Sequence, residues 1–277
     1  MVDEIRIRIA RDRADFEACV LLQRAVWGLA DLEIISALQL VAAVHAGAIL
    51  HLAESASGQA MGFGYAFPAL NGGVPHYHSD MVAVLPEYQR HGVGIRIKWA
   101  QRDEALRRSV ALITWTFDPL QARNAHLNLR RLGASAVEFL ENFYGITTSS
   151  LHHGLPTDRL LVHWNLNAEG VALRVREGEP SRSVAAPASP RINEVKWQAG
   201  WPVTSEPRLD LTAEELLLEI PPDWNVLCQA APRVAEGWQQ AMRRAFQSYF
   251  AKGYRAVDFL PTEDGGRRRP LYVLRKG

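Results

Sequence analysis

Met81-Val82-Ala83-Val84-Leu85-Pro86-Glu87-Tyr88-Gln89-Arg90-His91-Gly92-Val93-Gly94-Ile95-Arg96 is the stretch on which the reading of this chain turns. An apolar strand runs into a short polar loop that holds two glycines one residue apart, and a helix follows directly. That order aims several backbone N–H groups and the positive end of the helix at one point, which suits a pyrophosphate. Gly92 and Gly94 allow close approach because they carry no Cβ. Arg90 and Arg96 add positive charge. Two other nucleotide loops do not fit. A dinucleotide fingerprint needs a third glycine three residues on, where Ile97 stands, and too much chain precedes this loop for a first βα turn. A Walker loop needs Gly-Lys-Ser/Thr, whereas Gly94 is followed by Ile95 and Arg96.

Working outward, Ile5 to Ile9 alternates with arginines and predicts a half-buried strand. Helices are expected over Asp12–Trp27 and Asp31–His45, then strands over Ala48–Ala53 and Met61–Phe67. Another strand covers Tyr77–Val84, the helix after the glycine loop reaches about Arg108, and Ala111–Phe117 is again a strand. Leu120–Leu132 reads as a helix with Gly133 as its cap. Strand-like segments follow at Ala136–Tyr144 and Leu160–Leu166. This order implies a mixed α/β sheet, parallel in part. A Pro-, Ser- and Ala-rich stretch from Arg176 to Arg191 reads as a linker. Beyond it, a strand over Glu214–Ile220, an amphipathic helix over Val234–Phe250 and strands over Tyr254–Leu260 and Pro270–Leu274 form a smaller extension. The expected organisation is a domain over 1–170, a linker over 171–192 and an α/β extension over 193–277 packed on the first domain.

Composition narrows the function classes. The 31 basic and 30 acidic side chains leave a net charge of +1, so nothing draws the whole chain to nucleic acid or an anionic membrane, and any anion site is local. Cys19 and Cys228 are far apart and make neither a disulfide framework nor a zinc motif. The acidic start Met1-Val2-Asp3-Glu4 does not fit a signal peptide, and the apolar stretch Leu38–Leu52 is too short to span a bilayer. A cytoplasmic location is expected.

Gln89-Arg90-His91-Gly92-Val93-Gly94 matches the Q/R-x-x-G-x-G/A signature of the GNAT superfamily of N-acyltransferases, and the preceding strand and turn resemble that family's as well. The resemblance spans roughly Ile5 to Leu166. It is closest to long members with a C-terminal extension, which have stretches similar to Trp115–Leu120 and Asn124–Leu129. The resemblance implies a GNAT acyl-CoA N-acyltransferase fold. Acetyl-CoA or another acyl-CoA is the implied co-substrate, and a small-molecule amine such as an amino acid the implied acceptor. Main-chain groups of Val82, Ala83 and Val84 would meet the pantetheine arm and acyl carbonyl. The amides of Gln89, Arg90, His91, Gly92, Val93, Gly94 and Ile95 would hold the pyrophosphate, and Asn124 would touch coenzyme A. A homodimer is an open option; nucleic acid and membrane are not expected partners.

Many members carry a tyrosine acid four residues before the glycine that ends the later helix; counting back from Gly133 gives Leu129 here. Tyr144 is the nearest downstream substitute. Asp80, two residues before Val82, is the expected general base, with His78 as the alternative two residues earlier on the same strand face. The departure at Leu129 also leaves open a non-catalytic protein that binds coenzyme A or another ligand. His76 with His78, and His152 with His153, are the obvious metal pairs, but spacing supplies no third ligand, so no metal is expected. Arg267-Arg268-Arg269 beside Gly265-Gly266 reads as a solvated turn.

Overall fold

The computed structural model describes residues 5–145, 154–178, 180 and 188–277. They form two compact units, one from the described residues up to Trp115 and one from Thr116 onward.

In the first unit, β1 (Arg6–Ile9), β2 (Ile49–Glu54), β3 (Ala60–Asn71) and β4 (Val74–Val84) pair antiparallel in that order, and β5 (Leu112–Phe117) pairs parallel to β4. Helix α1 (Arg13–Trp27) starts where the Asp12 side chain accepts the Asp15 N–H and stops at Gly28, whose φ of 61° is left-handed. The Arg8 guanidinium bonds both Asp15 (2.6 Å) and Glu54 (2.5 Å), tying β1 to α1 and β2 and holding the Asp15 carboxyl below its usual range. Helix α2 spans Ala37–His45, and α3 spans Val93–Arg107. Helix α3 buries Val93, Ile97, Lys98, Gln101, Glu104 and Ala105, a stripe at helical spacing in which half the positions are polar.

The second unit opens with α4 (Ala122–Ala125), which continues as a π-helix over His126–Arg131. Its strands β6 (Ser135–Leu140), β7 (Arg159–Asn165), β10 (Glu215–Glu219), β11 (Tyr254–Asp264) and β12 (Arg267–Lys276) run in the order β7-β6-β11-β12-β10, every pair antiparallel. Helix α5 is Glu169–Glu177, β8 (Val195–Gln198) and β9 (Trp201–Thr204) form a separate hairpin, and α6 is Trp224–Ala230. Helix α7 (Pro232–Ala251) buries Trp238, Met242, Ala245, Phe246 and Tyr249. The Phe246 ring meets those of Phe139 and Tyr272 at 6.1 and 5.3 Å.

Several expectations are corrected. The helix expected over Asp31–His45 is a single 3₁₀ turn at Asp31–Glu33 followed by α2, because the Ser36 hydroxyl accepts the Gln39 N–H and starts a new helix. The strand expected to reach Tyr144 ends at Leu140, and a turn follows in which Asn142 has a φ of 45°. The stretch expected as linker from residue 171 begins inside α5. The arginine hairpin is not merely solvated: Arg269 binds the buried Glu219 carboxylate at 2.9 Å, and Arg267 lies 4.5 Å from the Trp197 ring.

Candidate active site

The parallel pairing of β4 with β5 covers only Tyr77–Ile113 and His78–Thr114. Strand β4 runs on to Val84 beside β3 alone, as the described pairing has it, with Val82 opposite Gly64 and Val84 opposite Gly62. The β5-side edge of Val82, Ala83 and Val84 therefore keeps main-chain groups for something other than a strand, the Val84 carbonyl excepted, which Gln89 takes. Gly62 makes this alignment feasible: a Cβ there would stand 2.4 Å from the Ala83 carbonyl oxygen.

Past Val84, the Gln89 side-chain amide donates to the Val84 carbonyl (3.2 Å) and folds the loop back on its strand. Arg90 (φ 69°) and Gly92 (φ 79°) are both left-handed, a run that turns successive N–H groups to one side. Gly92 caps α3 with no side-chain bond, and the first turn of the helix holds no acidic residue. The early amides, Val93, Gly94 and Ile95 among them, thus face outward as an anion site. Gly94 is informative in another way. It needs no special φ, and a Cβ would come no closer than 3.8 Å to Val84, so the protein itself does not demand glycine there. A ligand that must approach the backbone would. Gln89, Arg90, His91 and Arg96 are exposed around this cradle. The set fits the diphosphate of an acyl-CoA.

Upstream on β4 the register slips: Tyr65 faces Met81 while Phe67 faces His78, so β4 holds one extra residue in a β-bulge. The two residues of β4 that stand against Ala66 alone are Ser79 and Asp80, between the paired His78 and Met81. Asp80 is exposed. His78 is half-buried, packs on the Phe67 ring at 5.3 Å and shares a bond of 2.9 Å with the Thr114 hydroxyl. Burial first, then the Lys98 and His76 charges, push its pKa down to about 4. At neutral pH it is an uncharged ring with little appetite for a proton, which weakens it as the alternative base. His76 bonds the Val74 carbonyl, and among the described residues no three His, Cys, Asp or Glu side chains gather. His152 and His153 lie outside the described residues.

Beneath the bulge is a cluster that sequence reasoning missed. Lys98 Nζ donates to Ser79 Oγ (2.7 Å), the Ser79 hydroxyl donates to Gln101 Oε1 (2.9 Å), and the ammonium sits 3.8 Å from the centre of the Trp115 ring. Lys98 is 4% exposed, and burial pushes its pKa down to about 7. The signal was present: Lys98 and Gln101 occupy the buried stripe of an amphipathic helix.

Tyr144 and Asn124 belong to the second unit, and both are exposed. The Tyr144 hydroxyl is 3.2 Å from the Thr116 hydroxyl, to which Arg159 Nε also donates (3.1 Å). The Arg159 guanidinium stands 5.5 Å from the Tyr144 ring. Leu129 is wholly buried within the π-helix.

No protein-family model and no curated protein matches the chain. Solved structures do resemble it. The ribosomal-protein-S18-alanine N-acetyltransferase of Escherichia coli is 16% identical with a TM-score of 0.47, over 60% of this chain and 96% of that one. An acetyltransferase of the GNAT family from Streptococcus pneumoniae is 18% identical with a TM-score of 0.47, over 58% and 98%. An aminoglycoside 6′-N-acetyltransferase complexed with coenzyme A is 15% identical with a TM-score of 0.45, over 59% and 98%.

Proposed function

We propose that this protein is a GNAT-type N-acyltransferase that binds an acyl-CoA along the free edge of β4 and at the start of α3, and passes the acyl group to an amine. The observation that supports it most is Gly94, a glycine that neither backbone conformation nor internal packing requires, in the first turn of a helix whose N-terminus has no side-chain cap. Extended β4 would hold the pantetheine arm through main-chain bonds. A neutral amine would attack the thioester carbonyl, with the oxyanion accepting a backbone N–H near Val84. Asp80, exposed beside the bulge, would take the proton from the incoming ammonium. Tyr144 would protonate the departing thiolate, and the resulting phenolate would be held by the Thr116 hydroxyl, itself bonded to Arg159. No covalent enzyme intermediate is needed: both cysteines are buried and their thiols are pushed up to about 12.

Gly94→Glu tests the cradle. The backbone tolerates the side chain, but its charge would occupy the diphosphate position, so the rise in Tm given by acetyl-CoA should vanish while the unliganded Tm stays near wild type. An undiminished rise would show that acetyl-CoA binds elsewhere. A second reading, binding without turnover, is favoured by the buried Leu129. Free-thiol release from acetyl-CoA across a panel of amines separates the two.

A further inference from the structure

Helix α7 carries Gln239, Arg243 and Gln247 at i, i+4 and i+8, a polar row beside its buried apolar face, and every member of the row bonds to the chain around one turn. Gln239 Nε2 donates to the Pro156 carbonyl (2.7 Å). Arg243 reaches Asp158 through two nitrogens (3.1 and 3.0 Å) and Glu141 through its third (2.6 Å). Gln247 donates to the other oxygen of Glu141 (2.9 Å). Asp158, with its side chain 4% exposed, accepts the Asn142 N–H (3.0 Å), and the Asn142 side chain accepts the Thr157 N–H (3.2 Å). Thr157 completes the chain: its carbonyl accepts the Phe143 N–H, its hydroxyl accepts the Tyr144 N–H, and that hydroxyl donates to the Gly145 carbonyl, each at 2.9 Å.

The turn that presents Tyr144 is therefore bolted on both sides. Asn142 sits at φ 45°, left-handed backbone that asparagine tolerates, and these bonds hold it there. One of them is to the Asp158 carboxylate, and the charge that holds that carboxylate in place is Arg243. A bidentate guanidinium fixes direction as well as distance, which a lysine ammonium does not.

We propose that Arg243 is a positioning residue for Tyr144: through Asp158, Asn142 and Thr157 it holds the backbone turn from which the phenol reaches Thr116. Arg243 touches neither substrate nor reacting atoms. The proposal rests on the reading of Tyr144 as the proton donor to the thiolate, and gives the C-terminal segment a part in catalysis.

The test joins an activity-independent measurement to a kinetic one. In Arg243→Ala, the Phe143 and Tyr144 amides should exchange their hydrogens faster, while amides of β12 exchange as in wild type. With acetyl-CoA and the best amine of a panel, kcat should fall about 10–100-fold, the range for a displaced catalytic group, with KM for acetyl-CoA within about 2-fold. Arg243→Lys should fall between. Adding Arg243→Ala to Tyr144→Phe should cost almost nothing more, which a general loss of structure would not reproduce. Unchanged exchange in Arg243→Ala, or an equal further loss in the Tyr144→Phe background, overturns the inference alone. Wild-type kcat in Tyr144→Phe removes the parent reading and with it the catalytic part of the inference. Should Arg243→Ala not fold, Arg243→Lys and Gln247→Ala each weaken part of the clamp, and their amide exchange must rise in step with what they remove or the inference is wrong.

Discussion

Lys98→Met removes a buried ammonium from under the β4 bulge while keeping most of its volume. The lysine pKa falls from an ordinary 10.5 to about 7 through burial. At about 1.4 kcal/mol for each tenfold change in proton affinity, that is about 5 kcal/mol against the charged form. The Trp115 face, 3.8 Å away, returns about 1–2 kcal/mol of it to the ammonium, leaving about 3–4 kcal/mol. The sign follows from counting protons. Between about 7 and 10.5 the unfolded chain holds a proton that the folded chain has released, so raising the pH favours folding. Below that window both states are charged and the cost is complete; above it neither is, and the cost is gone. In urea titrations at about pH 7, 8.5 and 10, the stability of wild type should therefore climb towards that of Lys98→Met, closing by about 3–4 kcal/mol. The loss of the bond to Ser79, about 1 kcal/mol, offsets the comparison by a constant. His78, whose pKa the Lys98 charge helps depress, titrates well below the window and does not confuse it. Parallel stability curves for the two proteins would refute the reasoning.

Two further outcomes probe the strand that carries the site. Asp80→Asn should lower kcat/KM about 100-fold while leaving the acetyl-CoA thermal shift intact, and equal activity would move the proton to water. Gly62→Ala drives a methyl to 2.4 Å from the Ala83 carbonyl. It should cost roughly 1–3 kcal/mol in urea and weaken acetyl-CoA binding as Val82–Val84 shift, so a variant within about 0.5 kcal/mol of wild type with unchanged affinity would show that this edge is not what binds.

The strand–loop–helix of the candidate site was legible because it is local. A strand, two glycines and a helix start within Met81–Arg96 need no long-range contact to read, and Gly92 there takes a left-handed φ. Long periodic elements were legible for the same reason: α1, α3 and α7 lie where apolar spacing put them. What escaped were features with no periodic signature. The bulge opposite Ala66 changes the phase of β4 by one residue, and only the pairing with β3 reveals it. The clamp on Tyr144 joins residues 141–145, 156–158 and 239–247, a span in which no short window contains both partners. Helix α5 was hidden by the Pro- and Ser-rich run that follows it.

The count that lands on Leu129 shows how a local rule fails when geometry changes beneath it. Stepping back four residues from Gly133 assumes about 3.6 residues per turn. Over His126–Arg131 the helix is wider: the Leu132 N–H reaches back five residues to Leu127, and the Ala134 N–H six to Asn128. One extra residue in a turn rotates everything on one side of it, and the rotation carries Leu129 fully into the core beside the buried Asn128 and Arg130. A phenol at 129 would therefore be buried. The proposed reaction then takes its proton donor from another segment. The proposal gives that part to Tyr144, whose hydroxyl bonds Thr116. A turn offers less intrinsic rigidity than a helix. A proton donor on a turn, as proposed for Tyr144, is served by an external brace, and the polar row of α7 supplies it.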